Sequence, residues 1–224
     1  MKRFRTTLLA LTLTLILTPL LQSCLDDDDN YYVTIATFRT NEDVGNYFTM
    51  DNGKTLHTQQ VISSLEDGQR VNISFDILEE DVNGYDYTIK VRGLEKILTK
   101  PTITMTEETA DSIGDDKINI IGIWLGDGYL NINYQFIGSR YSTKPHMINL
   151  VNNQIEGTDE ESEEGYLSLE FRHNAYGDNS GDVLNGIVSF KGPFKEEDLS
   201  GLKVRYNSIY NGVKYTKIDF EKKD

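Results

Sequence analysis

Apolar and polar residues alternate with a period of two over four separate stretches of this chain. Only a β-strand with one covered face and one wet face accommodates such a pattern. In 71–77, Val71, Ile73, Phe75 and Ile77 share a face opposite Asn72, Ser74 and Asp76. In 85–92, Tyr85, Tyr87, Ile89 and Val91 alternate with Asp86, Thr88, Lys90 and Arg92. The stretch 129–136 sets Leu130, Ile132, Tyr134 and Phe136 against Tyr129, Asn131, Asn133 and Gln135. The stretch 167–172 sets Leu167, Leu169 and Phe171 against Ser168, Glu170 and Arg172. Asn52-Gly53, Asn83-Gly84, Asp127-Gly128 and Asn211-Gly212 lie between such runs. These pairs tolerate the positive φ angles of a two-residue type I′ hairpin. Gly122 breaks the alternation of Ile118, Ile120 and Trp124, which marks a bulge or bend. Helical turns are expected only around Glu107–Ile113 and 195–199, so the fold class is all-β.

The N-terminus carries a different signal. Lys2, Arg3 and Arg5 precede an uncharged, leucine-rich stretch over 8–21, the layout of an export signal. That stretch, interrupted by Pro19, is shorter than the roughly 20 apolar residues a spanning helix needs. It ends in Leu21-Gln22-Ser23-Cys24, which resembles the lipobox of bacterial lipoproteins. The resemblance implies cleavage before Cys24 and lipid attachment to it, and so a membrane anchor. Cys24 is the sole cysteine, with no disulfide partner in the chain. Asp26, Asp27, Asp28 and Asp29 follow directly; their mutual repulsion suits a solvated tether. The run is also similar to the export signal that places lipoproteins on the outer face of the outer membrane in one group of Gram-negative bacteria. Display toward the cell exterior is therefore expected, with a periplasm-facing anchor as the alternative.

Removing residues 1–23 takes away three basic residues and no acidic ones. The formal charge then moves from −14 to about −17, with 19 basic residues against 36 acidic. Nucleic acid is disfavoured as a partner, because phosphate contacts need clustered Lys and Arg. Adhesion of the body to an anionic bilayer is disfavoured for the same reason. Pro101, which cannot donate to a sheet ladder, marks a boundary near Thr99-Lys100-Pro101-Thr102. The reading is a signal peptide over 1–23, a lipidated tether over 24–30, a small closed barrel over 31–101 and a two-sheet sandwich over 102–224. The acidic stretch 159–164 is a solvated loop.

Several segments then carry a family resemblance. They are Gly128-Tyr129-Leu130-Asn131-Ile132, His146-Met147-Ile148-Asn149-Leu150-Val151, Leu169-Glu170-Phe171-Arg172-His173-Asn174-Ala175-Tyr176-Gly177-Asp178 and Gly186-Ile187-Val188-Ser189-Phe190. With Asp51-Asn52-Gly53-Lys54-Thr55-Leu56 and Gly68-Gln69-Arg70-Val71 in the first half, they resemble the NigD-like lipoproteins over nearly the whole mature chain. The resemblance implies an N-terminal OB-like barrel followed by a C-terminal β-sandwich. It also implies a link to bacteriocin immunity through the founding member. It supplies no catalytic residues to carry over, and biological role transfers weakly on fold.

The chain holds only His57, His146 and His173, and no zinc-protease, nucleophile-elbow or phosphate-loop motif. No catalytic residue, metal site or cofactor is expected, and the protein is read as a monomeric non-enzyme. His173, with Asn174 and Asp178, could supply a metal site, a partner site or a base with its orienting carboxylate. The turn composition of 174–179 favours side chains that bond the loop backbone instead. His146, which opens a strand after Pro145, is read as structural, with a pairing to His173 left open. Tyr129, Asn131, Asn133 and Gln135 form the polar face of one strand, the pattern of a peptide or glycan platform. The expected partner is accordingly a protein or peptide, in its sharpest form a bacteriocin toxin, or alternatively a glycan.

Overall fold

The computed structural model describes residues 31–41, 45–157, 163–194 and 198–220. Cys24, Asp26, Asp27, Asp28 and Asp29 lie outside these residues, as does most of the helical turn expected over 195–199. From Tyr32 onward the chain forms one compact unit.

Five strands, β1 (Tyr32–Arg39), β2 (Tyr47–Met50), β3 (Thr55–His57), β4 (Arg70–Val82) and β5 (Tyr85–Lys96), close into a barrel in the order β1-β2-β3-β5-β4. The inward set of β4 is the one its alternation specifies: Val71, Ile73 and Phe75 are buried with Phe38, Phe48, Leu56 and Ile89. Each such side chain contributes roughly 1.5–3 kcal/mol on leaving water. Two register shifts along β4 and β5 bend that hairpin, the longest of the barrel.

The chain leaves the barrel at Lys96, and the next strand already belongs to the sandwich. β6 (Leu98–Pro101), β8 (Ile118–Gly126), β9 (Tyr129–Gly138) and β12 (Asp182–Lys191) form a four-stranded sheet ordered β6-β12-β9-β8. Pro101 is tolerated because β6 is an edge strand. β7 (Ile103–Met105), β10 (Met147–Asn153), β11 (Tyr166–Asn174), β13 (Gly201–Ser208) and β14 (Gly212–Asp219) form a five-stranded sheet ordered β14-β13-β11-β10-β7. Leu130, Ile132, Tyr134, Leu169, Phe171, Val188, Phe190 and Val204 fill the space between the sheets. The helix α1 (Glu107–Ile113) covers the outside of the larger sheet, seating Ile113 against Met105 and Val151.

Local chemistry explains the turns. Asn83-Gly84 and Asp127-Gly128 each have two positive φ angles, as type I′ turns require. At Asn52-Gly53 and Asn211-Gly212 only the glycine has positive φ. Three residues separate the paired Ser208 and Gly212, so the longer loop, not the dipeptide, sets that turn. At Gly122 the β8–β9 register shifts, and Ile121 is the residue left over.

Sandwich and barrel meet through a buried polar clasp. Arg70, at the start of β4, is fully buried. Its guanidinium donates to Thr37 Oγ1 at 2.9 Å, to Asp51 Oδ1 at 2.5 Å and to Asn131 Oδ1 on β9 at 3.0 Å. It also lies 5.1 Å from the centre of the Tyr129 ring. Asp51 Oδ2 accepts from Trp124 Nε1 at 2.7 Å, and Ser189 Oγ donates to Asn131 Oδ1 at 2.7 Å. Tyr129 donates its hydroxyl to the Gly68 carbonyl at 2.9 Å, and Arg39 pairs with Asp127 at 2.6 Å. Gly126 is required by close approach: a Cβ there would stand 2.2 Å from the Asp51 side chain.

This junction corrects one expectation. Tyr129 and Asn131 were expected on an open polar face, yet they are 3% and 0% exposed. Alternation assigns them correctly to the face away from the sandwich core, but the barrel covers that end of the face. Asn133 and Gln135, farther along β9, remain half-buried.

Breaking a buried ion pair by removing one partner costs roughly 3–5 kcal/mol, because the remaining charge stays desolvated. Asp51 keeps some contact with water, which places the cost at the low end. Arg70→Met should therefore lower the thermal denaturation midpoint by about 10 °C in a chain of this size. Gly126→Ala should destabilise in the same direction, by collision with Asp51. A midpoint for Arg70→Met within about 2 °C of wild type would show that the clasp contributes little.

Candidate functional site: a buried histidine relay at one end of the sandwich

β10 and β11 are antiparallel neighbours with Ile148 opposite His173. That register brings His146, one residue before β10, beside His173 near the end of β11. His173 points into the sandwich on the Phe171 side of its strand and is fully buried. Phe136 of the facing sheet closes over both rings, with centroids 4.6 Å from His146 and 5.5 Å from His173. Gly138 leaves the space that His146 occupies, since a Cβ there would lie 2.9 Å from the imidazole.

Four groups line up in a relay. His173 Nδ1 lies 3.0 Å from the Lys117 carbonyl, His173 Nε2 lies 2.9 Å from His146 Nδ1, and His146 Nε2 lies 3.3 Å from Asp178 Oδ2. The Lys117 carbonyl sets the direction of the hydrogen bonds from one end. A carbonyl only accepts, so His173 Nδ1–H donates to Lys117. With His173 neutral, its Nε2 accepts from His146 Nδ1–H, and His146 Nε2 faces the Asp178 carboxylate. Burial lowers the pKa of His173, and the neighbouring His146 lowers it further, so His173 stays neutral.

The loop around Asp178 is built from local backbone bonds. Asp178 accepts the Ser139 N–H at 3.0 Å, which lowers its pKa, and His146 reinforces that effect. Asn174 Oδ1 accepts the Tyr176 N–H at 2.9 Å, and Asp116 accepts the Ala175 N–H at 2.7 Å. The positive φ of Tyr176 and Gly177 turns the chain back toward β12. Above this end of the sandwich, Tyr141, Tyr176 and Val183 are exposed.

Of the residues singled out in the sequence, His146, His173 and Asp178 thus come together, whereas Tyr129 and Asn131 lie in the junction. Sequence reasoning missed Arg70, Asp51 and Trp124. Arg70 falls on the polar side of a strand, and Asp51 in a turn, where both read as ordinary surface residues. The sole tryptophan was the one available signal. No group of three or more His, Cys, Asp or Glu side chains among the described residues is arranged to hold a metal ion. No described helix is long and apolar enough to cross a membrane.

A second proton on His173 would set two N–H groups against each other at the centre of the relay. With its pKa depressed below the ordinary 6.5, His173 contributes stability that is complete above pH 6.5 and lost as pH falls through its folded value. Asp178, also depressed, withdraws its contribution only below its ordinary 3.8. Thermal denaturation between pH 8 and pH 5 should therefore show a flat midpoint down to about 6.5 and a decline below it. His173→Gln should flatten that decline. A wild-type midpoint unchanged to pH 5 would contradict the assigned protonation.

Comparison with known proteins accords with this architecture. The NigD-like N-terminal OB domain model matches residues 32–97, and the NigD-like C-terminal beta sandwich domain model matches residues 101–220. A protein of unknown function from Bacteroides vulgatus superposes with a TM-score of 0.75 at 26% identity, covering 85% of this chain and 91% of its own. A Parabacteroides distasonis protein, provisionally described as toxin-related, gives 0.69 at 27% identity, covering 85% and 93%. A NigD-like immunity protein from Bacteroides caccae shares the fold at 0.57 and 19% identity, covering 84% and 92%. No curated protein matches the chain. The chain belongs to the NigD-like family, an OB-type barrel joined to a β-sandwich.

Proposed function

We propose that this protein is a lipid-anchored binding and protection module of the cell envelope, facing the exterior, that acts by engaging a protein partner rather than by catalysis. One observation carries the non-catalytic reading. The group best equipped for acid–base chemistry, His146 with His173 and Asp178, uses its ring nitrogens in internal bonds, and its central ring is fully buried. A general base must reach the proton it removes from a substrate. The clasp is similarly occupied, Asp51 by Arg70 and Trp124.

The provisionally toxin-related P. distasonis relative supports a polypeptide antagonist as partner, and immunity against a bacteriocin is the sharpest form of that reading. A glycan partner is less favoured, because the strand face suggested for it has Tyr129 and Asn131 beneath the barrel. Anchoring rests on Cys24 with its lipobox-like approach, and outward display on Asp26 to Asp29.

Fractionation, protease and killing assays test this reading. Cys24→Ala should move the protein from the membrane fraction to the soluble one. Replacing Asp26 to Asp29 with alanine should leave it membrane-bound but protected from protease added to whole cells. If Cys24→Ala stays with the membrane, the anchor is wrong. Deleting the gene and challenging cells with spent medium from bacteriocin-producing strains should raise sensitivity; unchanged sensitivity across producers would sink the immunity form.

A further inference from the structure

Strand β12 is only partly covered. Its ladder to β6 runs from Val188 to Lys191, whereas its ladder to β9 runs from Asp182 to Lys191. On the side away from β9, residues 182–187 have no strand partner among the described residues. Beside this bare edge, where the barrel approaches, lies a cavity of about 420 Å³. Its apolar walls are Ile35, Ile97, Leu98 and Ile187. Its polar groups come from Asn72, Glu95 and Lys96, with Tyr134 and Gly186 from the sandwich.

Tyr134 and Gly186 are directly paired across β9 and β12. A Cβ on residue 186 would stand 2.4 Å from the Tyr134 hydroxyl, so glycine is what lets the phenol pass over β12 to its bare edge. The tyrosine is 7% exposed, its ring set against Phe136 and Phe171 in the core. Its hydroxyl nonetheless has no hydrogen-bond partner among the described residues. Burial pushes its pKa up to about 12, so it stays a neutral hydroxyl at all physiological pH. The hydroxyl faces the cavity, where a bound group can take the place of solvent as its hydrogen-bond partner. On the barrel side, Ile35, Asn72 and Glu95 are neighbours in one row across β1, β4 and β5. Glu95 has no ion-pair partner among the described residues.

We propose that this cavity binds an extended peptide segment of a partner protein, which adds along the bare edge of β12, seats an apolar side chain between Leu98 and Ile187 and offers a basic side chain to Glu95. The inference rests on the binding-module reading and names its site. A strand edge is completed by another peptide main chain, whose donors and acceptors alternate as its own do. A sugar is a poorer match, because Tyr134 presents its hydroxyl and not its ring face. Glu95 and the chain's net charge of −14 favour a cationic segment over an anionic one.

A phage-displayed library of random dodecapeptides panned against the mature chain, residues 24–224, supplies the probe. Fluorescein-labelled peptides from the enriched clones should alternate apolar and basic residues. Fluorescence anisotropy should show binding weakened at least about 5-fold by Tyr134→Phe and by Glu95→Gln, and abolished by Ile187→Glu. Tyr134→Phe breaks no bond within the protein, so its denaturation midpoint should match wild type, separating lost binding from lost folding. Peptide addition should also slow amide exchange at 184–187. Failure to enrich any peptide, equal binding to all three variants, or unchanged exchange at 184–187 would each overturn the proposal. If a sensitive deletion strain is fully rescued by Ile187→Glu, the site is wrong and the protective role stands. Peptide capture at this cavity with no sensitivity in the deletion strain means the opposite: the site stands and the protective role fails.

Discussion

The guanidinium of Arg70 is the constraint on which the joined barrel and sandwich depend. A fully desolvated cation has to be surrounded by acceptors, and here they come from both domains: Thr37 and Asp51 from the barrel, Asn131 from the sandwich. Asp51 in turn needs Trp124, and Asn131 needs Ser189, so the requirement spreads over β8, β9 and β12. Arg70 Nε is left without a partner among the described residues, so the clasp is not fully satisfied. Its value therefore lies at least as much in fixing one relative placement of the domains as in net stability, since hydrophobic contacts would tolerate sliding.

That fixed placement creates the other features of the molecule. With the barrel held over one end of the four-stranded sheet, Tyr129 and Asn131 are covered while the edge of β12 beyond Val188 is left bare. The cavity beside Tyr134 and Gly186 exists because barrel strands β1, β4 and β5 stand against that edge without completing it. At the far end of the sandwich the histidine relay performs a comparable task on a smaller scale. It ties the loop after β11 to the start of β10 and to Lys117, using side-chain hydrogen bonds in place of apolar packing.

Much of the fold was legible in the residues, because strand periodicity is local. The inward sets of β4, β9 and β11, the bulge near Gly122 and the helix at Glu107–Ile113 all follow from neighbours within a few positions. The turn types at Asn52-Gly53 and Asn211-Gly212 were less legible, since loop length overrode the dipeptide. What covers a polar strand face is a property of the assembled domains, so alternation placed Tyr129 and Asn131 on the correct face and gave no sign of their burial. The meeting of His146 and His173, 27 residues apart, depends on the register of β10 against β11, which no single-strand pattern encodes. Arg70 and Asp51 were silent for the same reason: each has ordinary local chemistry, and their meaning comes from the partner across the junction.

If the clasp makes barrel and sandwich one mechanical body, the two must also unfold as one. Differential scanning calorimetry of residues 24–224 tests this directly. A single transition is expected, with a calorimetric enthalpy equal to its van't Hoff enthalpy, as two-state unfolding requires. Two resolved transitions, or a calorimetric enthalpy about twice the van't Hoff value, would mean that the domains melt independently and that Arg70 does not join them.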